Sequence, residues 1–183
     1  VNESIKFKIP IVTFYVFSSE NWKRPKSEVK FLFKLIKRYF LQEIESVMKQ
    51  GIKINVFGEL TRLSSDLKIV LRKTVNLTKK NKKITVNLAI NYGSKNEIIR
   101  AVKKMKNKIT IKNLEKNLYT NKITHPDILV RTGGHQRLSN FMLWQLAYSE
   151  LYFLDKLWPD FNEKDLKKII KNYRSIKRNF GKL

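Results

Sequence analysis

Between positions 131 and 153 the chain reads RTGGHQRLSNFMLWQLAYSELYF, a segment rich in residues able to handle a diphosphate. Arg131 and Arg137 each present a planar fork of donors suited to phosphate oxygens, and Ser139 adds a hydroxyl. Gly133 and Gly134 free the backbone to turn, and turned N–H groups can form an anion-binding concavity. The apolar run at 127–130 suits a buried strand. Ser139 or Asn140 is placed to cap a helix continuing through Phe141, Leu143, Trp144 and Ala147 to Glu150, before a second strand-like run at 151–154. Taken singly, loop arginines make solvated ion pairs and a glutamate at a helix end faces solvent. Taken together, the spacing points to phosphate binding, with Glu150 as a carboxylate able to hold a hard cation.

A second chemical stretch, SSENWKRP at 18–25, follows the β-branched and aromatic run at 9–17. That run suits a strand covered on both faces. Open α/β sheets place their ligands at the carboxyl ends of such strands. Ser18, Ser19, Asn21 and Arg24 offer donors there. Trp22 either covers a substrate or anchors packing, since its ring serves both uses equally well.

Together, the RTGGHQRLSNFMLWQLAYSELYF and YVFSSENWKRP strings resemble two signatures of the cis-prenyltransferases, the undecaprenyl diphosphate synthase family. The turn at 91–97, NYGSKNE, resembles a third and is assigned a structural role. The resemblance spans about 9–180. It implies Z-type sequential condensation of isopentenyl diphosphate onto an allylic diphosphate, farnesyl diphosphate, to give a long polyprenyl diphosphate of the undecaprenyl type, a lipid carrier for cell-wall synthesis. It further implies a catalytic role for Asn21 in proton removal, and substrate binding by Ser18, Ser19, Glu20, Trp22 and Arg24 around the reacting centre. Arg131, Arg137, Leu138 and Ser139 would bind isopentenyl diphosphate, and Glu150 would bind Mg2+. A homodimer and a transient association with the membrane surface for product release are implied too. The family also contains non-catalytic partner subunits, the alternative reading. Two departures stand out. Members carry an upstream strand ending in M-D-G-N-G-R-W, whose aspartate binds magnesium; nothing in 1–17 matches it and Val1 is not an initiator methionine, so truncation is expected. His135 stands where the family usually has an acidic residue, which alters the charge beside the phosphate arginines.

The elements that must position these loops follow from periodicity. Apolar residues at Val29, Phe33, Ile36, Phe40, Ile44 and Val47 recur at helical spacing over 27–49, with Ser27 a cap and Gly51 a stop. Leu32, Leu35 and Tyr39 widen that face, as deep packing or as one wall of a lipid tunnel; Ile84, Val86 and Leu88 are candidate walls opposite. Strands are expected at 52–58 and 84–90, and helices at 63–79 and 95–106. A polar connection at 107–126 carries a short helical piece near Leu114 and a lone loop histidine, His125. Pro159 precedes a closing amphipathic helix on Leu166, Ile169, Ile170, Tyr173 and Ile176, followed by a basic tail. The alternation predicts an α/β fold, one domain over 1–183 with a mainly parallel central sheet flanked by helices on both faces, and the resemblance adds an apolar tunnel.

Composition excludes several classes. A chain of 183 residues, 42% hydrophobic, can bury a sizeable core. No run approaches the ~18 apolar residues of a membrane span, and no signal-peptide pattern opens the chain. With no cysteine there is neither a disulfide framework nor a thiolate nucleophile, consistent with a cytoplasmic location. The net charge of +24 raises nucleic acid as a partner, but the lysines are scattered among Asn and Ile and no nucleic-acid module is present. No specific nucleic acid is expected; the charge suits diphosphates and anionic membrane surfaces.

Overall fold

The computed structural model describes residues 1–106 and 108–178. Asn107 of the polar connection and the tail beyond 178, with the far end of the resemblance at Phe180, lie outside the described residues. The chain divides into two compact units, Val1–Asn121 and the remainder from Lys122.

The first unit runs α1 (Asn2–Lys6), β1 (Ile11–Ser18), α2 (Lys26–Lys49), β2 (Ile52–Phe57), α3 (Ser65–Thr78), β3 (Ile84–Tyr92), α4 (Ser94–Lys104) and α5 (Ile111–Asn117). Its three strands are all parallel in the order β1-β3-β2, so α2 and α3 serve as crossovers. Both pack on one face. Val29, Phe33, Ile36 and Phe40 of α2 and Leu67 and Leu71 of α3 meet Phe17, Leu88 and Ile90. A polar ladder crosses the middle of the sheet: Asn55 Nδ2 donates to Asn87 Oδ1 at 3.0 Å, and Asn87 Nδ2 donates to Thr13 Oγ1 at 3.2 Å. These residues stand opposite one another in register. A one-residue slip would leave the fully buried Asn87 without partners, so the ladder pins the alignment.

Two devices shape the carboxyl ends of the strands. A bulge around Val16 shifts the β1 register, leaving Val16 outside while Phe17 turns into the core and Ser18 meets Tyr92. Gly58, at φ +132, passes so close to β3 that a Cβ would lie 2.0 Å from the Ile90 carbonyl oxygen. Only glycine fits there.

The parallel α/β class expected from the sequence is what is found, with boundary corrections. Residues 2–6 form a short helix that the sequence did not announce. Pro25, not Ser27, is the N-cap of α2: its extended ψ of 136° hands the chain straight to Lys26. Gly51 follows the helix at φ +67, as a stop signal should. The strand expected at 84–90 continues to Tyr92.

Buried polar groups close the carboxyl end of β3. The Tyr15 hydroxyl donates to the Tyr92 carbonyl at 3.0 Å, and the Tyr92 hydroxyl donates to Glu97 Oε2 at 2.6 Å. Glu97, 1% exposed, also accepts from the Tyr119 N–H at 2.7 Å. Burial chiefly, helped by the Glu20 charge, pushes the Tyr15 phenol up to about 12 from 10.0, and burial with Glu97 raises Tyr92 as well. A folded tyrosine that holds its proton longer than the unfolded one adds stability below the unfolded pKa. That stability is lost as pH rises through the folded value. Denaturant midpoints are therefore expected to hold to about pH 10 and to fall between there and pH 12.

The second unit holds β4 (Ile128–Arg131), β5 (Glu150–Phe153) and α6 (Glu163–Ser175). β4 and β5 pair in parallel with Ile128 opposite Glu150 and Arg131 opposite Phe153. Asn162 and Asp165 form a capping box at the start of α6, and Lys156 clamps Asp165 at 2.8 Å. Ile169 and Ile170 are buried as the amphipathic pattern predicts, whereas Ile176 lies just past the helix end.

Candidate active site

In the first unit the bulged end of β1 runs into a 3₁₀ turn, Ser19–Lys23, instead of the open loop expected. A reciprocal cap builds it: Asn21 Oδ1 accepts the Ser18 N–H at 2.8 Å, and Ser18 Oγ accepts the Asn21 N–H. The Asn21 side-chain oxygen is thus occupied, while its side-chain N–H groups meet no partner among the described residues and stay available to a ligand. Ser19 Oγ is buried and meets no hydrogen-bond partner among the described residues. A buried hydroxyl in that state is costly unless something polar reaches it, which suits a site made to be filled. Glu20 is exposed at the tip. Arg24 makes an exposed pair with Glu28 at 2.7 Å, a contact weak enough for a phosphate to replace.

Trp22 is fixed from four sides. Phe17 and Phe33 flank its ring at centroid distances of 5.5 and 5.3 Å, and the Arg62 guanidinium stacks over it at 4.4 Å. Its Nε1–H donates to Asn91 Oδ1 at 2.7 Å, and Asn91 Nδ2 donates to the Glu59 carbonyl at 2.5 Å. Nothing in the spacing around Arg62 announces this contact. It left a signal for Asn91: an asparagine before a glycine at a strand end tolerates the left-handed conformation, and Asn91 has φ 50. The structural role assigned to the NYG turn is therefore one of holding Trp22. Asn91→Ala is expected to cost about 1–3 kcal/mol of stability, read by urea unfolding, and Asn91→Asp to recover little of it, because it keeps the acceptor for Trp22 but turns a carboxylate oxygen toward the Glu59 carbonyl.

In the second unit Arg131 is the hub. Its Nη1 donates to Ser139 Oγ at 2.8 Å and to the Arg137 backbone carbonyl. This closes 132–138 into a loop that brings both arginines and the serine together, as the spacing suggested. Burial first, and the neighbouring Arg137 charge second, lower the Arg131 guanidinium below its ordinary value. Two crowded cations are relieved by an anion. Leu138 is half-buried, and its carbonyl accepts the Phe141 N–H at 3.0 Å.

Three expectations need correction. The Gly133 and Gly134 N–H groups donate to the Lys156 and Leu154 carbonyls, at 2.9 and 3.0 Å, so they brace the loop and do not face an anion. No helix follows Ser139: Ser139, Asn140 and Met142 have φ of 48, 62 and 46, and left-handed residues so close together leave only irregular turns through 148. Ser139 and Asn140 therefore cap nothing. Glu150 opens β5 instead of ending a helix. It stands three rungs from the Arg131–Phe153 pair, roughly 10 Å along the ladder. Alternation puts it on the same strand face as Tyr152, whose phenol its charge helps to raise, and on the opposite face from Arg131. His135 is exposed beside Gly134, and His125 is an exposed loop residue.

Residues 1–181 match the family model described as "Putative undecaprenyl diphosphate synthase". The chain is a cis-prenyltransferase of the undecaprenyl diphosphate synthase family. It is 45% identical over 184 residues to an isoprenyl transferase of Rickettsia sibirica, covering 98% of this chain and 81% of that relative. It is 38% identical over 191 residues to an isoprenyl transferase of Oceanobacillus iheyensis, covering 99% and 76%. Among solved structures, a probable undecaprenyl diphosphate synthase from Campylobacter jejuni superposes with TM-score 0.91 at 36% identity, covering 99% of this chain and 88% of that one. The lavandulyl diphosphate synthase of Lavandula x intermedia, in complex with dimethylallyl diphosphate, superposes with TM-score 0.92 at 32% identity, covering 99% and 83%. The protein is thus an enzyme of cis-prenyl transfer. Among the described residues, no helix of this cis-prenyltransferase is long and apolar enough to cross a membrane, and no group of three or more His, Asp or Glu is gathered for a metal.

Proposed function

We propose that the protein condenses isopentenyl diphosphate repeatedly onto farnesyl diphosphate with Z geometry. The product is then a long polyprenyl diphosphate that serves as an undecaprenyl-type carrier for cell-wall synthesis. The observation that carries this reading is the Arg131–Arg137–Ser139 cluster, two crowded guanidiniums and a hydroxyl converging on one loop.

In each cycle the allylic carbon–oxygen bond breaks and the diphosphate departs with the electron pair. The double bond of isopentenyl diphosphate attacks the allylic carbon, and a proton leaves the new unit to restore a double bond. The loop of the second unit holds isopentenyl diphosphate: Arg131 and Arg137 neutralise its oxygens bidentately, Ser139 donates one further bond, and Leu138 packs beside the apolar end. In the turn of the first unit Ser18, Ser19, Glu20, Trp22 and Arg24 surround the allylic partner, with Arg24 exchanging Glu28 for phosphate. Because Asn21 Oδ1 is tied to the Ser18 N–H, Asn21 assists proton removal through its amide N–H groups, by orienting the oxygen that accepts the proton.

Glu150 is a hard oxygen donor and would hold Mg2+ as a carboxylate ligand. The chemistry such an ion would supply is stabilisation of the charge that develops on the departing diphosphate. Glu150→Ala is expected to lower kcat about a hundredfold and to raise the magnesium concentration needed for half-maximal rate, with little change in KM for isopentenyl diphosphate. A change confined to that KM would reassign Glu150 to substrate binding.

The growing chain is placed against the half-buried face of α2. A cavity of about 260 Å³ lined by Val56, Leu60, Leu71 and Val75, with Lys68, Arg72 and Asn76 at its polar side, supports an apolar path beside α3. This is smaller than the roughly 300–1,000 Å³ of ordinary ligand pockets, so a long product requires this path to widen. The protein would act as one catalytic domain, as a cytoplasmic homodimer that touches the membrane surface to release product. The test is self-sufficiency. The protein as its own cell makes it, purified free of any other synthase, is expected to consume isopentenyl diphosphate with farnesyl diphosphate and Mg2+. Turnover appearing only when a second synthase is added would favour a non-catalytic partner subunit.

A further inference from the structure

The outward side of α2 is unlike an ordinary solvated helix face. Lys30, Phe31, Lys34, Arg38 and Leu41 are all exposed, and their spacing puts them on one side of the helix. Phe31 is 62% and Leu41 55% exposed, on a helix whose opposite side already supplies core residues. From 30 to 41 there is no acidic residue to neutralise the cations, and the Glu28 carboxylate before them is held by Arg24. Among the described residues, Lys37 is the basic residue of that stretch that pairs with a carboxylate, reaching Asp66 of α3.

We propose that this face of α2 docks the enzyme on an anionic lipid bilayer. Basic side chains flanking large apolar ones are what an interfacial helix presents, the cations meeting lipid phosphates while Phe31 and Leu41 enter the headgroup boundary. The charge of the surface complements an anionic membrane, and the product supplies the need. A prenyl diphosphate lengthens into a chain that water will not accept, and the same helix turns its inner side toward the apolar core. RNA would explain the cations but not two large exposed apolar side chains among them. The proposal rests on the reading that the product is a membrane lipid and gives that membrane contact a surface.

The experiment is sedimentation of the protein with vesicles of phosphatidylglycerol and phosphatidylcholine, against phosphatidylcholine alone, without substrates. Binding is expected for the anionic vesicles only. The triple change Lys30→Gln, Lys34→Gln, Arg38→Gln should weaken it about a hundredfold, and Phe31→Ser with Leu41→Ser about tenfold. The same triple removal of charge from α6, at Lys164, Lys167 and Lys171, where no large apolar residue is exposed, should weaken it less than threefold. Equal losses from α2 and α6 would overturn the proposal, since scattered charge alone would then explain binding. So would displacement of wild-type protein from vesicles by RNA that protects these α2 residues. Circular dichroism checks that each variant is folded. Vesicle binding is read without turnover, so an inactive protein that still binds through α2 would strike down the synthesis reading and leave this surface standing.

Discussion

Arg137→Ala is expected to lower kcat/KM for isopentenyl diphosphate by about a hundredfold to a thousandfold while leaving the fold intact. Removing one well-placed charge-stabilising donor typically has that effect. The geometry makes Arg137 a cleaner probe than Arg131. Arg131 donates to the Arg137 backbone carbonyl and to Ser139, so its removal opens the loop as well as deleting a charge. Arg137 contributes its carbonyl to that brace whatever its side chain, and the side chain is exposed. Stability should therefore move by less than about 0.5 kcal/mol. Arg137→Lys should recover only part of the loss, because an ammonium cannot reproduce a planar fork. Steady-state kinetics at varied isopentenyl diphosphate checks this, and near-normal efficiency in Arg137→Ala would remove the second loop from the site.

Glu97→Ala is expected to destabilise the first unit more than Asn91→Ala does. Its carboxylate is buried and accepts from the Tyr92 hydroxyl and from the Tyr119 N–H, tying the end of β3 to the segment after α5. Alanine removes the acceptor from a buried hydroxyl, at about 1–3 kcal/mol, and from a part-buried N–H, at somewhat less. Against a total stability of about 5–15 kcal/mol this removes a large share. Glu97→Gln keeps one acceptor oxygen and should fall between. Urea unfolding followed by far-ultraviolet circular dichroism reads the difference; equal stability of wild type and alanine variant would show that the network contributes nothing net.

Much of this was legible in the residues. The βαβ alternation could be read because β3 and its neighbours are runs of β-branched and apolar residues between glycine-bearing turns. The clustering of Arg131, Arg137 and Ser139 was likewise visible in their spacing. What stayed hidden were tertiary choices. The run after Ser139 carries helix-forming residues such as Leu143 and Ala147, but left-handed backbone at Ser139, Asn140 and Met142 prevents a helix, and only the asparagine advertises that conformation. Glu150 follows apolar residues whichever element it belongs to, so only the pairing with Ile128 reveals it as the opening of a strand. The bulge at Val16 looks in sequence like one more residue of a continuous strand. Trp22 could have been a lid or an anchor; Phe17, Phe33, Arg62 and Asn91 hold it as an anchor whose edge borders the turn.

The most direct test of the central claim is the double-bond geometry of the product. The purified enzyme is incubated with farnesyl diphosphate, 13C-labelled isopentenyl diphosphate and Mg2+, and the extracted prenyl alcohol is examined by NMR. Repeated Z units added beyond the farnesyl group are the predicted result. Newly added E units, or a labelled substrate that never extends the starter, would contradict it.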